Sequence, residues 1–149
     1  MEHERNNVRR LMVSINRIDG IWYMLARKSG LKINTLSLLF ALDDGQARTQ
    51  KQICEEWIIP KTTINTVVKE CVENGLVELL PKENSKEKLV CLTTKGQKYA
   101  QEVLELFYQI ENAAMAEVLA EYSPQFIQAV EYYADCLKNK VDQVNEKSK

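Results

Sequence analysis

The 149-residue sequence has few residues that interrupt secondary structure, and it has no long apolar run. Only 5 glycines and 3 prolines occur, and so few turn-forming residues favour long helices. Every strictly apolar stretch is a few residues long, which predicts no membrane-spanning helix and no membrane partner. The charged start MEHERNNVRR is not followed by the apolar segment of a secretory signal, so we expect a cytoplasmic protein.

The sequence also has little that could bind a metal or catalyse a reaction. Its one histidine, His3, lies next to the N-terminus, and the four cysteines are far apart with no CxxC pair. A zinc site of the usual spacing and a histidine-based triad are therefore not expected. No P-loop, nucleophile elbow or glycine-rich dinucleotide motif is present. We predict neither an enzyme nor a bound cofactor.

The formal net charge of −1 conceals an uneven distribution along the chain. The first two thirds are mildly basic, whereas residues 99–149 are clearly acidic. An acidic surface repels the phosphates of nucleic acid. Any contact with nucleic acid is therefore expected in the first two thirds.

Apolar residues recur every three or four positions at both ends of the chain, as they do along one face of an amphipathic helix. This periodicity predicts long helices over residues 4–29 and 94–121, and another after Ser123-Pro124. Shorter helices are predicted over residues 34–42, 49–59 and 60–75. Residues 76–80 and 88–93 have the character of strands and would form a hairpin.

The order of elements between residues 49 and 93 is typical of a helix-turn-helix followed by a β-wing. The predicted fold is therefore mainly α with a small β-wing, a winged helix-turn-helix with long N- and C-terminal helices. In such a unit the third helix supports the fourth. The fourth keeps one face on the core and presents the other to the major groove of DNA.

The exposed face of the fourth helix and the hairpin turn carry residue types that can contact DNA. Thr and Asn can hydrogen-bond base edges, and Lys can contact phosphate. The fourth helix has no arginine, the residue that most often reads guanine. An ordinary solvated surface is the alternative. The candidate DNA-contacting residues are Thr49 and Gln50 at the start of the third helix, Lys61, Thr62, Thr63, Asn65, Thr66 and Lys69 of the fourth helix, and Lys82, Asn84, Lys86 and Lys88 of the hairpin.

Three segments of the sequence resemble the MarR family of bacterial transcriptional regulators: IPKTTINTVVK (residues 59–69), ENGLV (73–77) and LVCLTTKG (89–96). The resemblance implies a single MarR-like domain over residues 1–149. Residues 1–32 and 99–149 would form dimerisation helices, and residues 33–98 a winged helix-turn-helix lobe that binds DNA.

The resemblance also implies partners for the chain. The expected protein is a triangular homodimer whose fourth helices enter successive major grooves of a pseudo-palindromic operator in double-stranded DNA. Members of the family usually act as repressors, and many release DNA when a small-molecule effector binds between the two regions. The family commonly has Asp-x-Arg at the wing tip, where this chain has Asn84 and Lys86. Because Lys is a more hydrated point charge than Arg, we expect a weaker wing contact.

Three alternative roles are left open by the sequence. A winged helix can serve as a protein-interaction module without specific DNA binding. A thiol-based redox sensor would need an exposed cysteine with a lowered pKa, and the candidates are Cys54, Cys71, Cys91 and Cys136. The aromatic residues Trp22, Tyr23 and Phe40 would line an effector pocket or, as is more common for aromatics at helical spacing, pack in the core or in a dimer interface.

Overall fold

The helices begin and end close to where the sequence predicts them. A computed structural model describes residues 2–57 and 59–147, with side chains given for 4–57 and 59–146, so His3 lies outside the described side chains. The described elements are α1 (Glu2–Lys28), α2 (Ile33–Leu42), β1 (Arg48–Thr49), α3 (Gln50–Trp57), α4 (Lys61–Glu73), β2 (Val77–Pro81), β3 (Lys88–Leu92), α5 (Thr94–Glu121) and α6 (Gln125–Lys147). The predicted fold class, mainly α with a small β-wing, is confirmed.

Glycines end two of the helices in the left-handed conformation. Gly30 follows α1 with φ 73° and Gly75 follows α4 with φ 69°. After α4, the Gly75 N–H donates to the Val72 carbonyl at 2.9 Å, and the Leu76 N–H donates to the Cys71 carbonyl at 2.9 Å. This is the Schellman pattern, in which a residue without Cβ lets the chain turn back and satisfy the last helical carbonyls.

The three strands form one antiparallel sheet in the order β1-β3-β2. The hairpin of β2 and β3 was predicted, and its register places Val77 opposite Leu92 and Pro81 opposite Lys88. The sequence analysis missed β1, which pairs Arg48 with Val90. A two-residue strand is too short to show the alternation by which strands are recognised in a sequence.

The chain divides into two units, Met1–Phe107 and Tyr108–Lys149, with the division inside α5. The core of the first unit contains Leu36, Leu38, Leu39, Leu42, Ile53, Ile64, Val68, Val90, Leu104 and Phe107. The Trp22 ring lies 5.6 Å from that of Phe40 and 5.3 Å from that of Phe107, between centroids. Trp22 and Phe40 thus pack with other aromatic rings, while Tyr23 is 54% exposed.

The second unit leaves its apolar side chains in contact with solvent. Among residues 108–146 none is buried. The predicted apolar stripe of α6 is present, but Phe126, Val130, Leu137, Val141 and Val144 are all exposed. None of the described helices combines the length and the apolarity that crossing a lipid bilayer requires.

Candidate nucleic-acid interface

Thr49 and Gln52 fix the start of α3 through a reciprocal pair of hydrogen bonds. The Thr49 N–H donates to Gln52 Oε1 at 2.8 Å, and the Gln52 N–H donates to Thr49 Oγ1 at 3.1 Å. This is the capping box that the sequence indicated. The Thr49 side chain is only 3% exposed, so its hydroxyl serves the helix end rather than the surface.

The two faces of α4 differ as the sequence predicts. Ile64, Val67, Val68 and Cys71 are buried on one face, where α4 packs against α2, α3 and β2. Val72 was expected on that face but is 38% exposed, because it lies at its margin. The opposite side presents the exposed candidates Lys61, Thr62, Asn65, Thr66 and Lys69, with Thr63 half-buried beside them.

The exposed threonines of α4 are linked along the helix. The Thr66 hydroxyl donates to the Thr62 carbonyl at 3.1 Å. Its proton is therefore used within the helix, while the exposed side chain still has oxygen lone pairs and a methyl group available for contacts. A threonine in this state can accept a hydrogen bond from a base amino group or contact a thymine methyl.

Both carboxylates near the end of α4 have a lysine partner. Glu70 accepts two hydrogen bonds from Lys32 Nζ, at 3.0 and 2.9 Å. Glu73 lies 3.9 Å from Lys69 Nζ. These pairs offset the negative charge that would otherwise repel phosphate beside α4. Because the Lys69 pair is exposed and therefore weak, that ammonium can exchange its partner for a phosphate.

The hairpin loop between β2 and β3 is held by contacts of its own. Lys82 Nζ forms an ion pair with Glu87 at 3.2 Å, and the Ser85 N–H donates to the Lys82 carbonyl at 3.3 Å. Asn84 has φ 54°, a left-handed conformation that Asn adopts more readily than most residues. Lys86 and Lys88 are exposed. Asn84 and Lys86, the two residues that the sequence analysis compared with an Asp-x-Arg motif, therefore both lie in this loop, and Asn84 forms its left-handed turn.

A groove of about 550 Å³ lies between α3, the start of α4 and the hairpin. Four lysines from three separate segments line it, Lys51 of α3, Lys61 of α4, and Lys86 and Lys88 of the hairpin, and they outnumber its two carboxylates, Glu55 and Glu87. The candidates Thr49 and Gln50 also line the groove. Cations brought together around one groove attract an anionic backbone. We call this feature the lysine groove.

Lys51 is the residue of the lysine groove that the sequence analysis missed. It is exposed on α3 and lies 3.9 Å from Glu55 in a weak i,i+4 pair. The candidates predicted from the sequence include Thr49 and Gln50 at the start of the third helix but not Lys51, because that helix was expected mainly to support the fourth. Its position two residues before the buried Ile53 was a usable signal, since that spacing places Lys51 on the outer face of α3.

Not all candidates meet in the lysine groove. Thr62, Thr63 and Thr66 line a neighbouring surface depression with Lys32 and Asn34. Asn65 and Lys69 are exposed further along α4. Lys82 lines neither feature and is engaged with Glu87. The structure thus separates a lysine-rich part of the surface from a part rich in threonine.

The environments of Cys71 and Cys91 do not favour thiol reactivity. Burial, together with the neighbouring Glu70 carboxylate, raises the pKa of the Cys71 thiol. Burial and the Glu78 carboxylate raise the pKa of the Cys91 thiol. A raised pKa keeps a thiol protonated and unreactive at neutral pH. Within residues 2–57 and 59–147, no group of three His, Cys, Asp or Glu side chains is placed to hold a metal ion.

Comparisons with known proteins give a consistent result. The model of the MarR family matches residues 29–86. A helix-turn-helix-type transcriptional regulator of Bacillus subtilis, YwoH, described as uncharacterised, is 29% identical over 119 residues, which is 75% of this chain and 87% of that protein. The MarR family regulator NMB1585 of Neisseria meningitidis has a similar structure, with a TM-score of 0.76 and 25% identity over 96% of this chain and 99% of that one.

A third similar structure was solved with nucleic acid. It is a MarR family transcriptional regulator of Listeria monocytogenes in complex with a 26-mer DNA. Its TM-score is 0.67 at 20% identity, and the match covers 90% of this chain and 87% of that one. At this identity the match shows the fold alone.

Proposed function

We propose that the chain is a transcriptional regulator of the MarR type, which binds double-stranded operator DNA as a homodimer and acts in the cytoplasm as a repressor. The proposed role is that of a regulator, not an enzyme. The proposal assigns the phosphate contacts to the lysine groove and the reading of bases to α4.

The lysine groove is the observation that carries this proposal. Its four ammonium groups come from α3, α4 and the hairpin, so a duplex laid across them would be held at three points of the fold. Contacts of this kind fix the register of a protein on DNA but carry no sequence information. They also release counterions, which makes the affinity depend strongly on salt.

The exposed face of α4 lies next to the lysine groove, because Lys61, in the first turn of α4, lines the groove and is also exposed on that face. Thr62, Asn65 and Thr66 would then lie over base edges when the lysines contact phosphate. The Listeria relative, solved with a 26-mer DNA, has the same fold, which supports this use of the winged helix-turn-helix.

Exposed apolar side chains support the homodimer. On α1, Val8, Met12, Ile18 and Ile21 are between 41% and 56% exposed. The α6 stripe of the second unit is exposed as well. Soluble proteins rarely leave so many large apolar side chains in water, and such surfaces usually mark an interface. We propose that a second copy of the chain covers them.

The proposal is tested by a gel-shift titration of the protein on the DNA upstream of its own coding region. The titration is done at two salt concentrations, and a shuffled duplex of equal length serves as the control. We expect saturable binding that prefers the upstream DNA, and a log–log salt slope that rises by about 0.9 for each phosphate contacted. No preference on this duplex or on a selected random pool would overturn the proposal and favour a protein-interaction module.

A further inference from the structure

Residues 33–98, which include the helix-turn-helix and the hairpin, contain a single arginine, Arg48. Its guanidinium donates to both carboxylate oxygens of Asp44 and lies 3.4 Å from Glu56. The Arg48 side chain is only 18% exposed. Arginine is the side chain that most often binds guanine in the major groove. The one arginine of this segment is therefore held in ion pairs and is not available for that contact.

The lysines around α4 do not compensate for the missing arginine. Lys61 lines the lysine groove, and Lys32 Nζ is hydrogen-bonded to Glu70. Lys69 lies in the third turn of α4, 3.9 Å from Glu73. In a helix-turn-helix, the N-terminal residues of the second helix contact the base edges. Base reading by the first two turns of α4 therefore falls to their uncharged side chains.

The exposed uncharged side chains of these two turns are Thr62, Asn65 and Thr66. Asn65 follows Lys61 by four positions, which places the two side chains next to each other on one face of the helix. In the part of the chain that the structure describes, the Asn65 amide forms no hydrogen bond with another residue. Its carbonyl oxygen and its amino group are therefore both available to bind a base.

An asparagine amide distinguishes adenine from guanine by the arrangement of its polar atoms. The amide presents a donor beside an acceptor, and the adenine edge presents the acceptor N7 beside the donating N6 amino group. Two hydrogen bonds can therefore form at once. Guanine presents two acceptors, N7 and O6, so the amide oxygen would face O6 without a proton between them. An amide at this place thus favours adenine over guanine.

Thr66 adds a second bias against guanine. Its hydroxyl proton is donated to the Thr62 carbonyl at 3.1 Å, so towards DNA the oxygen can only accept a hydrogen bond. The major-groove edge of guanine presents acceptors alone, and it offers such a hydroxyl no partner. The edges of adenine and cytosine carry an amino group, and that of thymine a methyl group. Thr66 in this state can therefore contact every base except guanine.

We propose that Asn65 binds adenine in the major groove and that the first two turns of α4 select against guanine. The inference rests on the proposed DNA-binding function, and it names the base that this site recognises. Each half-site of the operator then has an adenine opposite Asn65, and Asn65 determines the specificity at that position.

The base preference is tested by selection from a pool of random-sequence duplexes, with sequencing of the bound fraction. The wild-type protein should select an adenine in each half-site. Asn65→Ala should lose the preference at that position alone and bind the wild-type sequence about 5- to 150-fold more weakly, the range for one bidentate base contact. Alanine has a higher helix propensity than asparagine, so this exposed change should not unfold α4. Asn112→Ala, exposed in the second unit, is the control and should select the wild-type sequence.

The contact itself is tested with 7-deazaadenine, which replaces the N7 acceptor by C–H and keeps the base pair. At the selected adenine it should weaken binding of the wild type by about fivefold, the loss typical of one neutral hydrogen bond. Asn65→Ala should show no further loss, because two changes that remove the same interaction are not additive. The same replacement at an adenine between the half-sites should affect neither protein. Equal losses in wild type and in Asn65→Ala would overturn the contact.

Failure of this inference differs from failure of the proposed function. If the selected half-sites have guanine at the position that depends on Asn65, or if Asn65→Ala selects the wild-type sequence, the protein binds DNA but the inference is wrong. If the selection enriches no sequence at all, the proposed function fails, and the inference fails with it.

Discussion

Gly96 lies against the backbone of Leu76, so closely that an added Cβ would be 1.9 Å from the Leu76 carbonyl oxygen. The first turn of α5 is thereby in direct contact with the chain that leaves α4. Thr93 completes the junction, since its hydroxyl donates to the Gly75 carbonyl at 2.7 Å and accepts from the Gly96 N–H at 2.9 Å. These residues lie in the segments ENGLV and LVCLTTKG, which resemble the MarR family. The junction gives a physical reason for the residue types at Gly75, Thr93 and Gly96.

We predict that Gly96→Ala destabilises the fold. The clash of a Cβ 1.9 Å from a backbone oxygen cannot be relieved by rotating a side chain. The start of α5 and the segment around Leu76 must therefore move apart. Overpacking of this kind costs about 1–3 kcal/mol or more of unfolding free energy. Urea denaturation of both proteins measures the loss.

Gly20→Ala is the matched control for Gly96→Ala. Gly20 lies inside α1, with nothing within 4 Å of an added Cβ. Alanine should there stabilise the helix by about 1 kcal/mol, through helix propensity. If both variants shift stability in the same direction, the Gly96 contact does not have the role assigned to it.

Thr62 and Thr66 are predicted to supply sequence preference. The double variant Thr62→Ala, Thr66→Ala should lose specific affinity, by about 1–3 kcal/mol for each base contact removed. Binding to the shuffled duplex should be nearly unchanged, because the lysine groove is intact. Asn112→Ala, an exposed change in the second unit, is the control. Unchanged preference for the upstream DNA in the double variant would remove α4 from the reading role.

Thr66 offers a finer test of its contact. Since its hydroxyl proton is directed to the Thr62 carbonyl, Thr66→Val keeps the methyl group and Thr66→Ser keeps the hydroxyl. A thymine contact predicts that the valine variant retains most of the specific affinity. If the Thr66 hydroxyl instead accepts a hydrogen bond from a base, the serine variant should retain most of the specific affinity. The two results are compared in the same gel-shift assay.

Lys86 is predicted to contact phosphate from the hairpin. Lys86→Ala should weaken binding to all duplexes alike and lower the salt slope by about 1 per contact. Lys86→Arg should tighten binding, because a guanidinium is less strongly hydrated and can bind two oxygens at once. Lys140→Ala, an exposed change on α6, should leave the slope as it is. A wild-type slope in Lys86→Ala would argue against the contact.

Leu137 is predicted to lie in the dimer interface. It is 50% exposed in the single chain, and a glutamate at this position would place a charge in a surface that a second copy covers. Because burying an unpaired charge is costly, Leu137→Glu should sediment near the 17.2 kDa of one chain, whereas the wild type should sediment as a dimer. Asn139→Glu adds the same charge on the opposite side of α6 and should stay dimeric.

The ion pair of Asp44 and Arg48 predicts a pH dependence of stability. Arg48 donates to Asp44 Oδ1 at 2.7 Å and to Oδ2 at 2.5 Å, and these hydrogen bonds lower the pKa of Asp44 to about 2 from 3.8. A lowered pKa stabilises the fold above the unfolded value of 3.8, and this contribution is lost as the pH falls through about 2. The Tm difference between wild type and Asp44→Asn should therefore be constant above pH 3.8 and shrink as the pH falls from 3.8 to about 2. A difference that stays constant down to pH 2 would contradict the pair.

Much of the fold could be predicted because its signals are local. The periodicity of apolar residues marked α5 from Thr94 to Glu121, and Gly75 marked the turn into β2. Helix faces also follow from local spacing, which is why Lys61, Thr62 and Thr66 were expected at the surface and are exposed there. The side-chain capping of α3 by Thr49 followed from a three-residue spacing.

The sequence by itself thus determined the helices, the hairpin and the residue types of the recognition surface, because helix and strand periods are set by neighbours a few positions apart. Only the tertiary structure decided which of those residues meet. It brought Lys51 to the hairpin lysines, joined Lys32 to Glu70 and placed Lys95 against the end of α4. It also withdrew the side chain of Thr49 from the surface. Partners separated by tens of residues are chosen by packing of the whole unit, so no local spacing in the sequence specifies them.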